Sequence, residues 1–122
     1  LHWVEPAALN TDRQQFEAAL EAWRSLKSQG KLSELKGFYS DRFRSQGRDL
    51  AQWWPRVEGE IRSAGARELE LKDVSMLRWR DTEDTMVVTF GEVALGQTRG
   101  TTKRQYWMRE SDQWKIFFEG AP

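Results

Sequence analysis

The feature that most narrows what this chain can become is a change of hydrophobic period at Gly65. Before it, apolar residues recur at three- and four-residue spacing, as one face of a helix requires. After it, β-branched and aromatic residues alternate with polar ones, as a strand requires. Helices first and strands afterwards describe an α+β domain in which helices pack against an antiparallel sheet. The chain has 122 residues, which suits one domain with one core.

Phe16, Ala19, Leu20, Trp23 and Leu26 make the first helical stripe, with Asn10 or Thr11 as N-cap and Gly30 as the stop. Residues 1–10 hold Pro6 and no sustained period, so a linker or N-terminal arm is expected there and a single domain over residues 11–120. A short helix around Leu32 to Gly37 puts Leu32 and Leu35 on one side and leads into Phe38, Tyr39 and Phe43. Asp49 is the expected N-cap of a third helix, whose stripe is Leu50, Trp53, Trp54, Val57 and Ile61. Pro55 lacks a backbone donor and crowds the preceding turn, which predicts either a kink or a helix that in effect begins at Trp54.

Strands are expected at about Arg67 to Arg80, Thr85 to Leu95, Thr102 to Glu110 and Gln113 to Glu119. The connections Asp81 to Asp84, Gly96 to Thr101 and Ser111-Asp112 are short enough for hairpins, which makes the four strands a meander. With Ser111-Asp112 as a two-residue turn, Glu110 opposes Gln113 and Trp107 opposes Ile116. Strict alternation then places Trp107, Arg109, Trp114, Ile116 and Phe118 on one face and Tyr106, Met108, Lys115 and Phe117 on the other. Large side chains on both faces mean that neither is simply solvent-facing: helices cover one, and a partner or another layer is expected on the other.

Composition removes several function classes. The chain carries 19 basic and 19 acidic residues, so no global field draws it to nucleic acid or anionic lipid. No apolar run is long enough for a membrane span, and the first residues lack the basic and apolar regions of a signal. There is no cysteine, which excludes thiolate nucleophiles, disulfides and Cys-ligated metal. The first residue is Leu1, without Met, so a fragment of a longer protein or a processed product is expected.

Trp23 in the first helix, Phe38-Tyr39-Ser40-Asp41-Arg42-Phe43, Trp53, the pair Val88 and Phe90, Lys103 with Trp107 and Arg109, and Gln113-Trp114-Lys115-Ile116 with Glu119 form a series. It resembles the NTF2-like cone shared by nuclear transport factor 2 and ketosteroid isomerase. Within that fold it looks like the domain appended to bacterial L,D-transpeptidases of the YkuD type and to exported tetratricopeptide-repeat proteins. The resemblance runs from about Gln14 to Glu119 and departs at Glu92 and Ala94, where the family strand usually has Gln and Tyr. It implies three helices on a curved four-strand meander, a periplasmic or otherwise exported location, and an accessory role beside peptidoglycan chemistry. It does not imply transpeptidase activity, which needs a cysteine nucleophile.

His2 is the sole histidine and sits in the arm, so neither a Ser-His-Asp triad nor a His-rich zinc site can be assembled. Glu68 and Glu70 share a strand face, as do Arg78 and Arg80, and read as a solvated face, since two carboxylates are too few for a hard cation. No catalytic residue, metal or cofactor is expected. The seven Trp and six Phe exceed what a core of this size absorbs, so some should line a pocket or an interface. The candidate binding residues are Tyr39, Trp53, Trp54, Phe90, Glu92, Lys103, Tyr106, Trp107, Arg109 and Trp114. Lys103, Arg104 and Arg109 with Trp107 read first as an ordinary charged strand edge protected from aggregation, and, as the alternative, form a cationic, aromatic surface suited to a carboxylated glycan or peptide stem.

The expected function is therefore a non-catalytic accessory domain whose partner is another protein or a second copy. Peptidoglycan fragments and a small molecule in the cone pocket are the further ligands considered. The competing expectation is a small isomerase- or cyclase-type enzyme with Asp41, Glu92 or Glu119 buried beside Tyr39 or Tyr106. It requires a cavity that Trp and Phe rings do not fill.

Overall fold

A computed structural model describes residues 6–64, 67–80 and 84–122. Its elements run α1 (Pro6–Gln29), α2 (Leu32–Lys36), α3 (Leu50–Ala64), β1 (Leu69–Arg80), β2 (Asp84–Ala94), β3 (Thr101–Glu110) and β4 (Gln113–Gly120). The strands form one antiparallel sheet in the order β1-β2-β3-β4, the meander that the alternation sets up. His2, the turn residues Asp81 to Glu83 and Gly65 itself lie outside the described residues.

The first helix begins earlier than its cap signal implied. Residues 6–10 are already helical, so Asn10 and Thr11 lie inside α1 rather than at its cap. Proline suits a first helical position, where its missing donor has no partner to lose, and Ala7, Ala8 and Leu9 propagate the helix well. The far end stops as expected. Gly30 takes φ 68°, its N–H bonds the Lys27 carbonyl at 3.1 Å, and Lys31 N–H bonds the Leu26 carbonyl at 3.1 Å, a Schellman closure.

At the start of α3, Gln52 N–H donates to Asp49 Oδ1 at 2.9 Å, while Asp49 N–H donates to Gln52 Oε1 at 3.1 Å. That reciprocal capping box fixes the helix start at Leu50, so α3 runs through Pro55 and does not begin at Trp54. Pro55 and Ala51, whose carbonyl it cannot serve, are both exposed, so water can take up the lost bond.

Helices α1 and α3 cover the inner face of the sheet. Phe16, Trp23, Leu35, Phe43, Val57, Val88, Phe90, Trp107 and Ile116 are all buried in one cluster. The rings meet edge-on where they can: Phe16 stands 5.5 Å from Trp107 and 5.3 Å from Trp114, both T-shaped. The free edge of β4 is covered by the segment after α2, because Ser40 N–H bonds the Ile116 carbonyl at 2.9 Å and Ile116 N–H bonds the Phe38 carbonyl at 2.7 Å. Covering that edge blocks strand-to-strand aggregation.

The β3–β4 turn holds φ of 50° at Ser111 and 64° at Asp112, the signature of a two-residue type I′ hairpin. Glu110 opposes Gln113 and Trp107 opposes Ile116, as the turn length dictates. One pair further on the register shifts, so that Tyr106 opposes Phe118. This bulge overturns the face expected for Phe118. Its ring stacks on Tyr106 of the outer face at 4.7 Å, and the residue after it, Glu119, is turned into the core. Gly100, before β3, is needed for a close approach: a Cβ there would lie 2.0 Å from the Glu92 carbonyl oxygen.

Candidate functional site

Three places on this scaffold gather polar or aromatic side chains with chemical potential: the centre of the inner face, the outer face, and a cavity by the β3–β4 turn.

At the centre, Glu119 is 2% exposed. Its Oε2 accepts from Tyr39 Oη at 2.9 Å and from Gln105 Nε2 at 2.7 Å, and its Oε1 accepts from Trp53 Nε1 at 3.3 Å. A second tier extends outward: Trp107 Nε1 donates to Gln105 Oε1 at 2.9 Å, and Trp23 Nε1 donates to Tyr39 Oη at 3.4 Å. Every neighbour offers an N–H or O–H to an acceptor-only carboxylate, so the polar atoms of three tryptophans are satisfied within the core. Burial, followed by the negative charge of Glu119, pushes the Tyr39 phenol well above its usual range, which keeps it neutral and donating.

Beside this hub lie four charges from four elements. Lys27 Nζ is 2.9 Å from Glu60 Oε2 and 3.0 Å from both Glu92 oxygens, and Lys103 Nζ is 2.5 Å from Glu60 Oε2 and 3.5 Å from Glu92 Oε1. The signs alternate, so the set is neutral. Burial pulls the Lys103 ammonium down, but the carboxylates of Glu119, Glu92 and Glu60 outweigh it and hold the group above the ordinary lysine range. Burial likewise lifts Glu60, and the ammonium groups of Lys27 and Lys103 more than reverse that, leaving it below the usual carboxylate range.

The outer face is different in kind. A groove of about 710 Å³ crosses all four strands and is lined by Leu77, Trp79, Val87, Tyr106, Met108 and Phe117, with Ser75, Thr85, Thr89 and Arg104 between them. Leu77 is 63% exposed, Trp79 60% and Tyr106 37%. Arg104 is the sole charged residue of the lining, and its Nε donates to Thr89 Oγ1 at 3.1 Å on the same face.

The third place is a cavity, also of about 710 Å³, between α1, the end of α2 and the β3–β4 hairpin. Phe38, Arg109, Trp114 and Lys115 contribute to its wall. The Arg109 guanidinium lies over the Trp114 ring, 5.4 Å from its centre.

The ten candidate residues thus fall into three groups. Tyr39, Trp53, Trp54, Phe90, Glu92, Lys103 and Trp107 belong to the inner face, Tyr106 to the outer groove, and Arg109 and Trp114 to the hairpin cavity. The single cationic surface considered for Lys103, Arg104, Arg109 and Trp107 is not assembled. Alternation turns Lys103 and Trp107 inward under the helices, where they are buried, and turns Arg104 outward. Lys27, Glu60 and Gln105 were missed by sequence reasoning, although the signal was present. Lys27 continues the spacing of Phe16, Leu20 and Trp23, Glu60 follows Val57 by three, and Gln105 lies between Lys103 and Trp107 on their face. Polar residues on an apolar stripe mark a buried network.

Among the described residues no helix is long and apolar enough to cross a membrane, and no group of acidic or histidine side chains is placed to hold a metal ion. The family model described as the Cds6 C-terminal NTF2-like domain matches residues 15–120. No curated protein matches the chain by sequence. Among solved structures, Bd1075 of Bdellovibrio bacteriovorus superposes with a TM-score of 0.77 at 18% identity, over 99% of this chain and 44% of that one. The helical cell shape determining protein Pgp2 of Campylobacter jejuni gives 0.67 at 16% identity, over 84% of this chain and 38% of that one. A candidate dehydratase of the NTF2-like family from Streptomyces avermitilis gives 0.67 at 13% identity, over 90% and 94%. This chain therefore spans less than half the length of the first two.

Proposed function

Because the chain belongs to the family of the Cds6 C-terminal NTF2-like domain, matched over residues 15–120, we propose that it is a non-catalytic accessory domain that self-associates through the outer face of its sheet. The observation that carries this reading is the groove across the four strands, where Leu77, Trp79 and Tyr106 lie exposed side by side. A contiguous apolar patch of this kind is costly to leave in water. The occupant is a second copy. The lining of the groove holds one charge, Arg104, already tied to Thr89, so two copies can meet groove to groove about a two-fold axis without burying unmatched acids or bases there.

The setting proposed is the bacterial envelope, in a longer protein comparable with the cell-shape protein Pgp2, with an enzyme of the L,D-transpeptidase type as host. The fold shared with Pgp2, a helical cell shape determining protein more than twice as long as the part it shares, supports that placing. The test is light scattering after gel filtration across a concentration series. A concentration-dependent dimer in the native chain, lost in Trp79→Asp, is expected; a monomer at every concentration would overturn self-association.

Two observations favour an enzyme instead: Glu119 lies beside Tyr39, as an acid–base pair would, and one fold relative is a candidate dehydratase. Against it, the rings of Trp23, Trp53 and Trp107 occupy the surroundings of the carboxylate, and neither large cavity is lined by Tyr39 or Glu119. Isomerisation of a β,γ-unsaturated ketone, abolished by Glu119→Gln in a folded protein, would favour the enzyme.

A further inference from the structure

The outer groove is graded along its strands. One row across it, Ser75, Thr89 and Arg104, is polar. The next row, Leu77, Val87 and Tyr106, and the one after it, which ends at Trp79, are apolar but for two hydroxyls. Arg104 stands out in the polar row. Thr89 Oγ1 holds its Nε, but its two terminal nitrogens bond nothing among the described residues and keep surface open to the groove. The buried cations of the inner face, Lys27 and Lys103, each meet carboxylates, and the part-buried Arg78 is held by Asp84. Among the described residues no acid pairs with Arg104. A guanidinium set against apolar walls without a counter-ion favours any anion that can reach it.

We infer that this groove takes up a long-chain carboxylate, its head on Arg104 and its tail over Leu77, Val87 and Trp79, and that the bound acid displaces a second copy. Charge and length both fit. The free Nη1 and Nη2 form the end of the guanidinium fork, which can grip a carboxylate through two parallel bonds. Thr89 Oγ1 accepts from Nε and so keeps its own proton for the same head. One cation in the lining matches one negative charge, which favours a monoanion over a polyanion. By strand spacing and rise per residue, the Arg104 and Trp79 backbones lie about 17 Å apart, which calls for an extended tail. The volume of about 710 Å³ suits a small molecule. Displacement rests on the self-association proposed above, because both occupants cover Leu77, Trp79 and Tyr106; the binding itself does not.

The probes are laurate, dodecanol and butyrate, each kept below the concentration at which it aggregates. Calorimetry on the intact chain gives affinity, and the ¹⁵N indole signal of Trp79, assigned with Trp79→Phe, gives location. Saturable binding of laurate with a shift at Trp79 is expected. Dodecanol lacks the charge and butyrate lacks the tail, so each should bind at least tenfold more weakly. Arg104→Met should weaken laurate at least tenfold and leave dodecanol unchanged. In light scattering, laurate should convert the dimer to monomer. No saturable binding, equal affinity for laurate and dodecanol, unchanged laurate affinity in Arg104→Met, or binding to phosphatidylglycerol vesicles alone would each overturn the site. Should Arg104→Met fail to fold, the contrast between laurate and dodecanol decides. A dimer that persists with laurate bound would overturn the displacement. The two readings fail separately: a chain that is monomeric at every concentration and still binds laurate through Arg104 keeps the site without self-association, and a dimer that laurate neither binds nor dissociates keeps self-association without the site.

Discussion

The two faces of one sheet are built from the same residue types and end in opposite states. On the inner face aromatic rings are buried and their polar atoms are bonded, with Glu119 accepting from Tyr39, Gln105 and Trp53. On the outer face Leu77, Trp79 and Tyr106 are left to solvent. Aromatic content alone therefore does not tell a core from a surface. What separates the two is polar content: the inner face carries buried acids and amines in matched sets, and the groove carries almost none. A face finished by its own chain needs every polar group satisfied; a face left for a partner must avoid unmatched charge.

The sharpest way to break that contrast is at Glu119. Glu119→Ala orphans two N–H donors and the Tyr39 hydroxyl at once, and a loss of about 3–5 kcal/mol is expected in urea unfolding. A loss under 1 kcal/mol would mean that the hub is incidental to the fold. Next in size is Lys103→Met, which leaves Glu92 with Lys27 alone and Glu60 with Lys27 and the half-exposed Arg56 at 4.0 Å. About 2–3 kcal/mol is expected, below the usual figure for breaking a buried pair, because Glu60 is one-third exposed and Lys27 remains.

The same groups set the pH dependence. Glu60 is depressed from 4.5, so its contribution is present above that pH and is lost as pH falls through its lower folded value. Lys103 is raised from 10.5 and Tyr39 from 10.0, so their contributions are present below those values and are lost as pH rises toward the folded ones. Stability is expected to decline at both extremes. Lys103→Met should flatten the alkaline decline in part, and Tyr39→Phe should remove a further part; an unchanged alkaline limb in both would contradict these assignments.

The smallest expected effect on stability is on the outer face. Trp79→Asp should change unfolding by no more than about 0.5 kcal/mol, because the ring packs on little within its own chain, yet weaken self-association at least tenfold. A large loss of stability with unchanged association would invert the contrast between the faces.

The fold was legible because it rests on local signals. Period, the Asp49 cap, the Gly30 stop and the two-residue turn at Ser111-Asp112 each act over a few residues, and each appears in the structure. The face of Phe118 was not legible, since the bulge in β4 adds a residue without a sequence mark and flips everything after it. That same flip puts Glu119 at the centre of the hub, so the most connected polar residue of the core depended on a feature that alternation cannot show. The start of α1 was misplaced for a simpler reason: proline can open a helix as well as break one. Of the ten candidate residues, the structure gathers seven on the inner face because the helices that cover the sheet come from far away in sequence.

Because the chain contains no cysteine, one introduced thiol reports a single position. Val87→Cys sits within the outer groove, and Ala51→Cys on the exposed side of α3 serves as the control. If the outer face meets its own copy about a two-fold axis, a flexible bis-maleimide long enough to span the groove should convert Val87→Cys to a covalent dimer and leave Ala51→Cys monomeric. Equal crosslinking of the two, or none at Val87, would contradict the account.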